Sequence, residues 1–164
     1  MIFVTVGSQK FQFNRLLKKV DQMAADGSIK EGVCVQTGAS DFVPCNCRHQ
    51  AFYDRDKFAQ MVEKCSVLIT HGGTGTIVDA VKRGKKAIVV PRLARYGEHV
   101  DDHQLQVMKE FHAMHLVYAC PAVEKLPWAL NRVKGHVYGV YPSNTVSFVA
   151  SVDQFLRSLG KEGR

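Results

Sequence analysis

Short, wholly apolar runs alternate along the chain with longer segments of helical spacing. Ile2 to Val6 is apolar and β-branched and stops at Gly7-Ser8, which predicts a buried strand. Phe13, Leu16, Leu17, Val20, Met23 and Ala24 then recur at helical spacing, and Gly27 closes that helix. Val33 to Gln36 is a second predicted strand, stopped by Thr37-Gly38, and residues 41 to 50 are expected to hold another. Asp54 opens a helix with Phe58, Met61 and Val62 on one face. Val67 to Thr70 is a strand that runs directly into His71-Gly72-Gly73-Thr74-Gly75-Thr76 and a helix to Arg83. Ala87 to Val90 is the next strand, ended by Pro91. A polar stretch from Arg92 to Asp102 leads to a helix through Gln106 to Ala113, and Leu116 to Ala119 forms the last strand. Pro127 to Lys134 is a short helix, and a final one over 143–159 carries Val146, Val149, Val152, Leu156 and Leu159.

Strands that are apolar throughout and alternate with helices imply a parallel sheet covered on both faces. The expected fold is α/β: a single Rossmann-like domain over residues 1–164. Ligands of such sheets bind outside the carboxyl ends of the strands. That rule directs attention to Gly7-Ser8-Gln9, Thr37-Gly38, His71 to Thr76 and Pro91 to Gln104.

Composition narrows the possible partners. The 164 residues carry a formal net charge of +7, which favours anionic ligands or surfaces. Lys82, Arg83, Lys85, Lys86, Arg92 and Arg95 fall in a stretch without acidic residues, a candidate face for lipid head groups or a partner. Its plainer reading is a solvated basic edge. No aromatic-rich strand motif or base-reading helix accompanies the charge, so nucleic acid is not an expected partner. No apolar run approaches the roughly 20 residues of a membrane span, and the amino terminus lacks signal-peptide features, so a cytoplasmic location is expected. The five cysteines lack zinc-knuckle spacing, which makes reduced core thiols the expectation even with Cys45, Cys47 and His49 close together.

The strongest chemical signal is the loop His71 to Thr76. Glycines at 72, 73 and 75 allow close backbone approach, and the free N–H groups of the following helix favour an anion. Thr74 and Thr76 add hydroxyls, while His71 could donate to a diphosphate or move a proton. The spacing fits neither the dinucleotide fingerprint nor a Walker loop. Asp79, one turn on, could accept hydrogen bonds from ribose hydroxyls or simply balance the helix dipole.

Thr5-Val6-Gly7-Ser8, the HGGTGT loop with Asp79, Pro91, and Glu98-His99-x-x-Asp102-His103-Gln104 together resemble the C-terminal, donor-binding half of family 28 glycosyltransferases. Within that family the chain is similar to small bacterial exopolysaccharide glycosyltransferase subunits and to the catalytic subunit of the eukaryotic transferase for dolichol-linked GlcNAc. The resemblance implies half of a GT-B fold and a hexosyltransferase that uses a UDP-sugar with no metal or other cofactor. It places the diphosphate on Gly7, Ser8 and the loop His71, Gly72, Gly73, Thr74, Gly75 and Thr76, the ribose at Asp79, and the donor sugar at His103 and Gln104. The capacity of its imidazole for proton transfer makes His71 the candidate catalytic residue. Asp79 is shorter than the family's usual Glu, and Leu105 replaces a second glutamine, so sugar selectivity does not carry over. The implied partners are a membrane-anchored acceptor-binding subunit and a lipid-linked sugar acceptor, with this chain peripheral at the inner face of the cell membrane. The alternative is a non-catalytic sugar-nucleotide-binding module that enhances a partner transferase.

Two further constellations carry weaker signals. Asp54-Arg55-Asp56 spells a metal-binding D-x-D but sits where Asp54 would cap a helix. His99 and His103 flank Asp101 and Asp102 and could hold zinc, yet no third ligand is evident and a polar sugar-binding segment is the preferred reading.

Overall fold

The computed structural model describes residues 1–141 together with 149–151 and 153. The predicted final helix over 143–159 otherwise lies outside the described residues.

Six parallel strands form one sheet in the order β3-β2-β1-β4-β5-β6. They are β1 (Ile2–Thr5), β2 (Val33–Gln36), β3 (Arg48–Gln50), β4 (Val67–Thr70), β5 (Ala87–Val89) and β6 (Tyr118–Ala119). The helices are α1 (Asn14–Ala25), α2 (Arg55–Lys64), α3 (Thr74–Lys82), α4 (His103–Ala113) and α5 (Leu126–Val133). Each strand of the central four is buried along its whole length, as strands covered on both faces must be. The expected strand in 41–50 is confined to Arg48–Gln50, a fully exposed edge.

Two apolar layers cover the sheet. One packs Phe13, Leu16, Leu17, Val20 and Met23 of α1 and Leu126, Ala129 and Val133 of α5 against Val4, Val35, Ile69 and Ile88. The other packs Met61 and Val62 of α2, Ile77 and Ala80 of α3 and Met108 of α4 against Phe3, Leu68 and Val89. The D-x-D segment serves as a helix cap: the Asp54 carboxylate accepts from the Lys57 amide at 2.7 Å.

Strand order reverses between β1 and β4, which pair from Ile2↔Val67 to Thr5↔Thr70. Their exit loops therefore leave side by side. This is the switch point at which doubly wound sheets bind ligands.

The basic residues between 82 and 95 do not form one surface. Arg92 lies in the core, fully buried. Arg83 pairs with Asp79 at 3.0 Å, Lys85 pairs with Glu63 at 3.0 Å, and Lys86 donates to the Lys134 carbonyl. Arg92 thus leaves the run for the core, while Arg83, Lys85 and Lys86 hold local partners at the surface. Among the described residues, no helix is long and apolar enough to cross a membrane.

One ion pair anchors the loop after β5. Glu98, with a side chain 1% exposed, accepts from Arg15 Nε at 3.0 Å and Arg15 Nη2 at 2.9 Å, and also from the Leu93 amide at 3.0 Å. Glu98→Gln should cost about 3 kcal/mol in denaturant unfolding at neutral pH, the lower end for breaking a buried pair. A loss under about 1 kcal/mol would show that solvent relieves Arg15 instead.

Candidate functional site

The carboxyl edge of the sheet ends in a row of polar or small residues, with Thr5 beside Gln36 on one side and Thr70 on the other. The Thr5 hydroxyl accepts from the Gly7 amide at 3.1 Å and from Gln36 Nε2 at 3.2 Å. Gln36 Nε2 also donates to the Gly7 carbonyl, and its Oε1 accepts from the Tyr53 amide. The first loop is thus held by a buried threonine and a buried glutamine.

Gly7 is in the left-handed region at φ +79°, and a Cβ built there would lie 2.5 Å from His71 Cε1. A Cβ on Gly73 would lie 2.3 Å from His71 Nε2. The His71 ring fills the space between the two glycine loops and can do so only because both lack side chains. It is 7% exposed, and its Nδ1 lies 3.3 Å from Thr70 Oγ1. Burial, reinforced by the neighbouring Arg92 cation, pushes its pKa down to about 3. The ring is therefore neutral at physiological pH, which suits a hydrogen-bonding and spacing role better than proton transfer.

Gly73 precedes α3 without a side-chain cap, so the first-turn N–H groups carry no helical partner and face the open edge. Thr74 and Gly75 are exposed and Thr76 is half-buried. Ser8 is exposed at the tip of the first loop. Asp79, 40% exposed, bonds Arg83 one turn further along and borders a groove with Arg55, Phe58, Gly75 and Thr76.

Gln104 is 3% exposed. Its Oε1 accepts from the Gly72 amide and the Arg92 amide, both at 3.1 Å, so it ties the loop after β4 to the loop after β5. A Cβ on Gly72 would lie 2.6 Å from Gln104 Cβ, which makes that glycine a packing requirement. His103, the first residue of α4, is half exposed and contacts the Asp101 carboxylate.

Arg92 and Gln36 are the structural members of this edge that sequence reasoning missed. Arg92 Nη2 donates to the Val6 carbonyl at 2.6 Å and to the Phe11 carbonyl at 2.9 Å, and the guanidinium lies 5.6 Å from the Phe13 ring centroid. Burial lowers its pKa to about 10, opposed by Glu98. Its place directly after the apolar run Ala87 to Pro91 was the available signal. A further concavity lies along α1 between Gln12, Arg15, Lys18 and Tyr96. It offers no glycine-rich loop, so the chemistry stays with the open edge.

Residues 1–137 match the glycosyltransferase family 28 C-terminal domain. The chain belongs to that family. No curated protein sequence matches it. Among solved structures it is similar to ALG13, with 18% identity, a TM-score of 0.57, and 87% of this chain and 89% of that one covered. It is also similar to MurG of Acinetobacter baumannii at 18% identity and a TM-score of 0.53, covering 80% of this chain and 40% of that one. The kitacinnamycin glycotransferase gives 16% identity and a TM-score of 0.59, covering 80% of this chain and 34% of that one. The chain thus spans between a third and two fifths of the two longer structures. Its fold is Rossmann-like and corresponds to one half of a GT-B glycosyltransferase. Gly7, Ser8 and His71 to Thr76, which the sequence resemblance pointed to, lie on the loops that leave the sheet at the switch point. Asp79 and His103 border it, and Gln104 supports it from beneath.

Gly7→Ala should lower stability by at least about 2 kcal/mol, because a left-handed alanine and overpacking each cost about 1–3 kcal/mol. In a His71→Ala background the loss should shrink by about 1 kcal/mol or more; additive losses in the double-mutant cycle would show that the ring is not the obstacle. The His71 imidazole NMR resonances should not titrate between pH 5 and 8. A folded-state pKa below the unfolded value means the ring's contribution to stability is complete above about pH 6.5 and falls as pH drops toward 3.

Proposed function

We propose that the chain is the donor-binding, catalytic half of an inverting UDP-sugar hexosyltransferase that acts on a polyprenyl-diphosphate-linked sugar in exopolysaccharide biosynthesis. The observation that carries this reading is the meeting of the Gly7 loop with an uncapped, glycine-rich helix start at the sheet's switch point, in a family 28 chain. In this reading the amides of 74–76 and the threonine hydroxyls receive the diphosphate, as helix starts favour anions. Ser8 meets it from the first loop. Asp79 turns from Arg83 to the ribose hydroxyls. His103 faces the sugar, and Gln104 holds the loops behind it. His71, neutral and packed, spaces the two loops and donates a hydrogen bond.

The edge is open on the side where a second Rossmann half would close it. A transfer reaction needs donor and acceptor in one water-poor cleft, with a base within hydrogen-bond reach of the attacking hydroxyl. We assign the acceptor site and that base to a membrane-anchored partner subunit, which would hold this chain at the inner face of the membrane. The extent of the match to ALG13, nearly the whole of that chain, supports a donor half of this size.

UDP is expected to bind the purified chain with equal affinity in the presence and absence of a chelator, measured by calorimetry. Binding abolished by the chelator would remove the metal-free assignment. Asp79→Ala should weaken UDP by about 1.5–3 kcal/mol, the range for hydrogen bonds to a charged group. Its effect on stability should be small, because the Asp79–Arg83 pair is solvent-exposed. The chain alone should show donor binding but no transfer to a polyprenyl-diphosphate-linked sugar, and adding the partner subunit should restore turnover. Full turnover by the isolated chain would overturn the division of labour, and turnover unaffected by loss of Asp79 would favour the non-catalytic module.

A further inference from the structure

We propose that His99, Asp101 and His103 form a binding site for a divalent transition metal of the zinc class, at the rim of the proposed donor site, with which it shares His103. One ligand atom from each of the three residues lies within 4.8 Å of the other two. They come from alternate positions of the turn between β5 and α4, so their side chains converge while Asp102 turns away to accept from the Ala94 amide.

His99 is the decisive member. Its side chain is 9% exposed, and its ring packs 4.8 Å from the Phe11 ring centroid. Its Nδ1 is buried and has no hydrogen-bond partner. That atom nevertheless lies 3.3 Å from Asp101 Oδ1, close enough for a hydrogen bond but not aligned for one. Ligand atoms about 2.1 Å from a tetrahedral ion lie about 3.4 Å apart, so this pair already has the spacing of two ligands on one metal. A loop ion pair between His103 and Asp101 would explain that contact alone and leave the buried His99 nitrogen unsatisfied. A shared metal satisfies all three groups.

The donor set selects the ion. Two imidazole nitrogens and one carboxylate suit zinc, cobalt, nickel or copper and not the oxygen-seeking magnesium or calcium. Asp101 is 58% exposed and His103 is 49% exposed, so the remaining coordination positions open to water. Phe11 closes the opposite side and fixes the His99 ring.

The test is calorimetric titration of the purified, reduced, metal-free chain with zinc, and titration with cobalt followed by visible absorption. One equivalent should bind, and cobalt should give the absorption of a tetrahedral nitrogen–oxygen site. Asp101→Asn and His103→Gln, both at exposed positions, should each weaken binding at least about tenfold, since even losing an outer partner of a ligand costs 10–100-fold. A Cys45→Ser, Cys47→Ser double variant should bind as the parent does. Circular dichroism checks that each variant is folded. Absence of saturable binding, or binding that survives either the Asp101 or the His103 substitution, would overturn the proposal.

Discussion

A parallel sheet leaves a problem at its carboxyl edge: every strand there ends in backbone groups that no neighbouring strand can satisfy. Here buried polar side chains take over from the ladder. Gln36 serves the loop after β1, and Gln104 bridges the loops after β4 and β5. Arg92 reaches back from β5 to the carbonyls of Val6 and Phe11, and Glu98 holds the Leu93 amide together with Arg15. Among the described residues, most of the buried polar ones belong to this edge. The apolar layers fix where the strands lie, but these side chains fix where the loops go, and the candidate site consists of those loops.

The same substitution of side chains for ladder bonds explains the glycines. Once Gln104 and His71 occupy the space behind the loops, Gly72, Gly73 and Gly7 have no room for a Cβ. The result is a site in which backbone amides face outward and side chains stand behind them. An anion bound there, as we propose, would meet N–H groups already held in place, which lowers the ordering cost of binding.

The sheet was legible in the sequence because each of its central strands is an unbroken apolar run bounded by glycine, proline or threonine. The helices were legible from their spacing and from Asp54 as a cap. The edge strand Arg48–Gln50 was harder to place because it is polar and exposed, and little apolar patterning marks it. The loop after β4 was also legible, since Gly72 and Gly73 stand directly ahead of a helix with Gly75 in its first turn. What the sequence hid was the division of labour within the site. Gln104 looks like a ligand contact, yet its oxygen is spent on backbone amides. Arg92 looks like one more charge in a basic run, yet it is core. Charge and polarity along a chain do not say which side of a loop a residue will take, and only the packing of Phe13 and the Val6 carbonyl decides it for Arg92.

The central position of β1 has a consequence for how the molecule is made. Ile2 to Thr5 precedes both of its partners, β2 and β4, and its pairing with β4 joins Ile2 to Val67. During synthesis this strand keeps one edge unpaired until the fourth has followed. Closing that long loop precedes any contact between the two glycine loops, so the binding edge is assembled late, by a non-local event of the kind that slows folding. A nascent chain stopped before Thr70 holds the Gly7 loop without the His71 ring against which that loop packs.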